Sequence, residues 1–126
     1  MSSDPYDLLK ACYNNNIELC IILINDDANL NLRDNYSYTA LMWVCIRGNI
    51  ELVKLLISKK VSIDLQNKYG VTALMMACYH SNTEIAKILI NNRCNLYLQD
   101  KNGWSALIIL CNKNNVELAS YILEYM

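Results

Sequence analysis

The chain has 126 residues, of which 54% are hydrophobic, and its formal net charge is −1. This length suits one domain, and the apolar fraction is enough to build a core, which argues against a disordered chain. The near-neutral charge argues against nucleic-acid binding and against a polybasic membrane patch, because both need a surplus of Lys and Arg.

The first residues, from Met1 to Asp7, have neither the basic nor the apolar region of a signal peptide. The longest apolar runs, such as 19–24 and 106–111, are too short to cross a bilayer. We therefore expect an intracellular protein in the cytoplasm, which would be the host cytoplasm if the sequence is viral. The sequence is rich in Asn, Ile, Tyr and Lys, as is common in AT-rich viral and protist genomes, although the absence of Phe does not fit that origin.

Four residue types recur at a step of 33 along most of the chain. The positions are Cys12, Cys45, Cys78 and Cys111; Glu18, Glu51, Glu84 and Glu117; Asn16, Asn49, Asn82 and Asn115; and Leu8, Leu41, Leu74 and Leu107. Several columns in one register are not expected by chance, so the sequence predicts a tandem repeat protein.

The first repeat is predicted to begin near Asp4 and Pro5, because Pro at the first helical position suits a helix start. In the second repeat, the short apolar segment 39–45 predicts a first helix with Thr39 as its N-cap, and Gly48 ends it. From Ile50 onwards, apolar residues at helical spacing predict an amphipathic second helix.

The third and fourth repeats begin in the same way, with Thr72 and Ser105 as N-cap candidates. The fourth repeat ends on an apolar second helix at 118–125, not on a polar capping face. Three interpretations stay open for this end: self-association through the uncapped repeat, further repeats in a longer protein, or tolerated exposure.

Two short helices cannot bury their apolar faces alone, but helix pairs stacked on one another bury a continuous core. The sequence therefore predicts an all-α solenoid of about four helix-turn-helix units joined by hairpin-like loops. We expect one domain over 1–126, with repeats at 4–34, 35–67, 68–100 and 101–126.

Residues 67–78 read NKYGVTALMMAC, and residues 100–107 read DKNGWSAL. The second repeat carries TAL at 39–41 and GNIE at 48–51. These segments resemble the ankyrin repeat, whose signature runs roughly D-x-x-G-x-T-P-L-H-x-A-A-x-x-G-H-x-E. The resemblance implies a rigid solenoid that binds another protein through its projecting turns, here called fingers, and through the concave face formed by the first helices.

The chain departs from this signature at several positions. The Pro is replaced by Ala and the His by Met or Ile, at Ala40, Ala73, Ala106, Met42, Met75 and Ile108. The Gly that closes the second helix in the family is replaced by Asp27, Lys60 and Arg93. We expect left-handed backbone at these three positions, which costs a non-Gly residue roughly 1 kcal/mol.

The six cysteines could form disulfides, bind a metal or pack as small apolar residues. Close pairs such as C-x-x-C, which structural zinc sites use, are absent. Equivalent helices in a stack lie roughly 8–10 Å apart, farther than the Cα separation of about 7 Å that a disulfide allows. We therefore interpret the cysteine column, together with Cys20 and Cys94, as free thiols that pack between helices.

The sequence predicts no catalytic residue, no metal site and no cofactor. His80 is the single histidine, and no Cys or Ser partner lies in register with it, so we interpret it as an exposed contact residue. The four glutamates of the column lie in the first turn of each second helix, where a negative charge favours the helix dipole. The three glycines serve turns and form no phosphate loop.

Exposed Tyr and Trp side chains are the usual anchors of protein interfaces, and several fall in the fingers or on the first-helix face. The alternative is that some of them pack between fingers and hold the stack together. Basic companions on the same side suggest a partner with some acidic character. The predicted partner-binding residues are Asn35, Tyr36, Tyr38, Trp43, Arg47, Lys68, Tyr69, Val71, Met76, Tyr79, His80, Lys101, Asn102, Trp104 and Lys113.

The sequence thus favours a non-enzymatic module that binds another protein of unknown identity, without nucleic acid or membrane. An adaptor that brings a target to a ubiquitin ligase is the alternative within the family, although such adaptors usually carry an F-box-like segment that this sequence lacks. A small enzyme is the third possibility, and it would need a cluster of titratable residues that the sequence does not offer.

Overall fold

The computed structural model describes residues 4–26 and 29–126. Eight α-helices form over these two ranges: α1 (Asp7–Tyr13), α2 (Ile17–Asn25), α3 (Ala40–Arg47), α4 (Ile50–Ser58), α5 (Ala73–Tyr79), α6 (Thr83–Asn91), α7 (Ala106–Asn112) and α8 (Val116–Leu123). Within the same ranges, no helix has the length and apolar content needed to span a membrane.

The helices form two layers. The odd-numbered helices pack in the order α1, α3, α5, α7, and the even-numbered helices pack in the order α2, α4, α6, α8. Each odd-numbered helix also packs against the even-numbered helix that follows it. This arrangement confirms the predicted all-α solenoid, and each of the four predicted repeats contains one helix pair.

The predicted N-caps of α3, α5 and α7 are confirmed. Thr39 Oγ1 accepts the backbone N–H of Met42 at 3.2 Å, and Thr72 and Ser105 cap α5 and α7 in the same way. The first helix differs from the prediction, because α1 begins at Asp7 and Pro5 lies in the turn before it. Asp4 Oδ1 accepts the N–H of Tyr6 at 2.8 Å in that turn, so the helix starts later than the proline alone suggests.

The asparagine column caps three of the four even-numbered helices. The side chains of Asn16, Asn49 and Asn115 accept backbone N–H groups in the first turns of α2, α4 and α8. Asn82 departs from the column, because its Nδ2 instead donates to the carbonyl of Cys45 at 2.6 Å in the preceding repeat. That bond ties the second repeat to the third.

The expected left-handed backbone is present after α4 and α6. Lys60 has φ 62° and Arg93 has φ 63°. Asp27, the third position of this expectation, lies outside the described residues.

The core runs the length of the stack between the two layers. Cys12, Cys45 and Cys78 are buried in it, as are Cys20 and Cys94. Cys111 departs from the expected packing role, because it is exposed on α7, the last odd-numbered helix of the stack.

Candidate partner-binding surface

Three fingers, at residues 34–38, 67–71 and 100–104, share one hydrogen-bond pattern. In the first finger, Asp34 Oδ1 accepts the backbone N–H groups of Tyr36 at 3.0 Å and Tyr38 at 2.9 Å. The N–H of Asp34 donates to the carbonyl of Tyr38 at 3.0 Å, which closes the loop like a hairpin. The same bonds form around the leading residues of the other two fingers, Asn67 and Asp100.

Neighbouring fingers are bonded to one another. The N–H of Lys68 donates to the carbonyl of Tyr36 at 2.9 Å, and the N–H of Lys101 donates to the carbonyl of Tyr69 at 3.0 Å. The rings of Tyr36 and Tyr69 lie nearly parallel, with centroids 6.4 Å apart. Both tyrosines are about half exposed, at 52% and 50%. The fingers therefore present aromatic side chains from a hydrogen-bonded row of loops.

Trp43, on α3, lies at the centre of an aromatic cluster on the inner face, which is the surface of the odd-numbered helices next to the fingers. Its ring stacks on Tyr38 at a centroid distance of 4.5 Å and meets Tyr13 edge-on at 4.9 Å. Its Nε1 donates to Asp34 Oδ2 at 3.2 Å. The guanidinium of Arg47 lies 5.1 Å from the centroid of the Tyr13 ring. Trp43 therefore both packs within the stack and borders the surface.

A groove of about 520 Å³ lies between α1 and the first finger. Its lining residues are Tyr6, Leu9, Lys10, Tyr13, Asn14, Asp34, Asn35, Tyr36 and Trp43. Apolar grooves of this volume with a few polar groups are the usual form of binding sites.

Sequence reasoning missed the part of this groove that α1 supplies. Tyr13 could have been found, because it lies two repeat periods before Tyr79, which is among the predicted partner-binding residues. Tyr6 and Lys10 belong to the end repeat, which lacks the finger sequence, and no column in the pattern marks them.

Two predicted contact residues are not accessible. Val71 and Met76 are buried, at 8% and 6% exposure, so the expectation that they lie on the surface is wrong. Val71 occupies the finger position of Tyr38 and Trp104, but its shorter side chain stays within the stack. Met76 lies in the column of Trp43, but its smaller side chain is buried on α5.

The remaining candidates lie farther along the same surface. Tyr79 Oη donates to Asp100 Oδ2 at 3.4 Å, which ties α5 to the third finger, where Lys101 and Asn102 are exposed and Trp104 is partly buried. The exposed residues at the ends of α3, α5 and α7 form a row at the repeat step, namely Arg47, His80 and Lys113.

Burial and neighbouring groups raise the pKa of two inner-face phenols. Desolvation raises the pKa of Tyr38, with smaller contributions from Tyr69 and Asp34. Desolvation likewise raises the pKa of Tyr79, and the Asp100 carboxylate that accepts its hydrogen bond adds to the effect.

Over residues 4–26 and 29–126, no group of three or more His, Cys, Asp or Glu side chains is arranged to bind a metal ion. The fingers and the inner face offer aromatic surface, hydrogen-bond donors and basic side chains, which are groups suited to recognising another molecule.

The family model described as ankyrin repeats (3 copies) matches residues 8–100. The match covers well over half of the chain and spans α1 to α6. No curated protein matches the chain significantly.

Proposed function

Because the chain belongs to the ankyrin repeat family, whose repeats are generally protein–protein interaction modules, we propose that it binds another protein through its fingers and inner face. The observation that carries this proposal is the half-exposed pair Tyr36 and Tyr69 on fingers that are bonded to each other. A rigid support lowers the ordering cost of binding, so a few aromatic anchors give useful affinity.

A binding role without catalysis fits the chemistry of the nucleophilic side chains. Burial raises the pKa of the Cys78 and Cys94 thiols to about 12, which makes them poor nucleophiles. His80 is exposed at the end of α5, where it caps the helix. Nucleophilic catalysis needs a nucleophile and a base within hydrogen-bond reach, and the hydrogen bonds among residues 4–26 and 29–126 include none between His80 and a thiol.

Affinity capture from cell lysate followed by mass spectrometry tests the proposal. Tyr36→Ala and Tyr69→Ala should reduce recovery of the partner while far-UV circular dichroism stays unchanged. Tyr97→Ala is the matched control, because Tyr97 is 64% exposed in the loop after α6, outside the fingers. A partner retained by both finger variants but lost with Tyr97→Ala would contradict the proposal. Recovery of ubiquitin-ligase subunits would favour the adaptor role.

A second candidate is self-association through the fourth repeat. Met42 and Met75 are each 1% exposed, whereas Ile108 in the same column is 43% exposed, and Leu123 on α8 is 55% exposed. These side chains form an apolar outer face on α7 and α8, and such faces favour association.

Sedimentation velocity over a range of concentrations tests self-association. Ile108→Lys should abolish any concentration-dependent rise in sedimentation coefficient. Val116→Lys adds the same charge at a residue that is 73% exposed at the start of α8, and should leave the rise unchanged. A wild-type protein that stays monomeric at all concentrations would rule this candidate out.

A further inference from the structure

Several basic side chains lie on the inner face and in the fingers, in a chain whose net charge is −1. Arg47 and Lys113 lie at the ends of α3 and α7, and Lys68 and Lys101 lie in the fingers; all four are exposed. The repeated glutamates lie instead in the first turns of the even-numbered helices. No glutamate lies on the odd-numbered helices or in the fingers, although the even-numbered helices carry Lys54 and Lys87 as well.

Acidic groups on this face only partly offset the basic ones. Both oxygens of Asp34 are engaged within the first finger and by Trp43, and Asp100 is engaged in the same way by the third finger and Tyr79. The second finger begins with the neutral Asn67. The ion pairs formed among the described residues are Lys10 with Asp4 and Lys87 with Glu117, so Arg47 and Lys68 have no carboxylate partner there.

These two cations lie over rings that line the groove between α1 and the first finger. Arg47 lies over the ring of Tyr13, and Lys68 Nζ lies 5.2 Å from the ring centroid of Tyr36. Tyr13 lines the groove from the end of α1, and Tyr36 lines it from the first finger. Cation–π contact leaves the charged groups near the surface, where they can also meet an anion.

We propose that this groove binds an acidic segment of a partner protein, with one large apolar side chain in the groove and flanking carboxylates on Arg47 and Lys68. The proposal rests on the protein-binding role proposed above and names the chemistry of its partner. The apolar walls accommodate the anchor side chain, and the two cations select negative charge on the residues next to it. Nucleic acid shares the negative charge, but its charge is continuous and its bases are usually held by stacking along an extended basic groove.

Selection from a random peptide library displayed on phage tests the proposal without knowledge of the partner. Peptides selected on the wild-type protein should be enriched in Asp and Glu around an aromatic or large aliphatic residue. Synthetic copies should bind roughly tenfold more weakly to the double variant Arg47→Gln/Lys68→Gln, and more weakly as salt is raised from low to physiological concentration. The control Lys54→Gln/Lys59→Gln removes two exposed charges, one on the even-numbered helix α4 and one directly after it, and should leave affinity unchanged.

The proposal is contradicted by an absence of selected peptides, by peptides without acidic enrichment, or by equal affinity for the Arg47→Gln/Lys68→Gln variant. Equal binding of a labelled oligothymidylate would also contradict it, since the surface would then bind polyanions in general. Circular dichroism establishes that each variant is folded. The peptide selection can fail while Tyr36→Ala still loses a partner captured from lysate. That combination would support the protein-binding role and contradict only the acidic-segment proposal.

Discussion

The indole Nε1 of Trp43 donates a hydrogen bond to Asp34 Oδ2, 3.2 Å away, and so joins the helix α3 to the finger that precedes it. The other carboxylate oxygen of Asp34 accepts two backbone N–H groups of the same finger. One side chain therefore fixes both the shape of the finger and its position on the stack.

Asp34→Ala should lower the free energy of unfolding by about 2–3 kcal/mol, because three hydrogen bonds worth about 1 kcal/mol each are lost. Urea denaturation followed by circular dichroism measures the change. Asn35→Ala, at the exposed neighbour in the same finger, should change stability by less than about 0.5 kcal/mol. Equal effects of the two substitutions would mean that Asp34 does not organise the finger.

Lys60→Gly should raise the melting temperature. Lys60 has φ 62°, a conformation that costs a residue with Cβ roughly 1 kcal/mol, and Gly removes most of that cost. Lys59→Gly is the matched control, because Lys59 has φ −87° and gains nothing from Gly, so its melting temperature should fall. A lower melting temperature for Lys60→Gly would show that the turn after α4 is wrongly described.

Cys111 should react with a maleimide or an aromatic disulfide reagent much faster than the other five cysteines. It is exposed on α7, whereas Cys12, Cys20, Cys45, Cys78 and Cys94 are buried. Mass spectrometry of the native protein should find one rapidly modified thiol, and all six should react in denaturant. Rapid modification of a second thiol in the native protein would show that the core opens easily.

Stability should fall as the pH rises above about 9. Burial raises the pKa of Cys78 from an ordinary 9.0 to about 12, so between these values only the unfolded state releases this proton. The contribution is fully present below pH 9 and is lost at about 1.4 kcal/mol per pH unit as the pH rises towards 12.

Urea denaturation of wild type and Cys78→Ala at pH 8 and pH 10 measures this contribution, since tyrosine and lysine titrations are common to both proteins and cancel. Cys78→Ala should lose less stability over that interval. Cys111→Ala, which removes an exposed cysteine, is the control for the loss of a thiol as such. Identical pH dependence in all three proteins would contradict the link between thiol burial and stability.

The repeat spacing predicted most of the fold, because each helix cap and each turn depends on one residue at a fixed position in the repeat. Thr39, Thr72 and Ser105 supply the side-chain oxygens that cap α3, α5 and α7. Lys60 and Arg93 lie in the turns after α4 and α6. These are local properties, so the spacing in the sequence was enough to find them.

The candidate site was less predictable, because its contacts cross between repeats. In the cluster of Tyr13, Trp43 and Arg47, a residue on α1 contacts two residues on α3. The repeat columns in the sequence do not indicate these contacts. Val71 and Met76 share columns with aromatic residues but have smaller side chains, so equal register did not give equal exposure. The side chain of Asn82 does not cap α6 but donates to the preceding repeat, a bond that forms only when the repeats are stacked.

Hydrogen–deuterium exchange on the protein with and without its captured partner tests the location of the binding surface most directly. Binding should slow exchange in the fingers at 34–38, 67–71 and 100–104 and along α1 and α3, while the even-numbered helices α4 and α6 exchange as in the free protein. Protection confined to α4 and α6, with the fingers unchanged, would contradict the account.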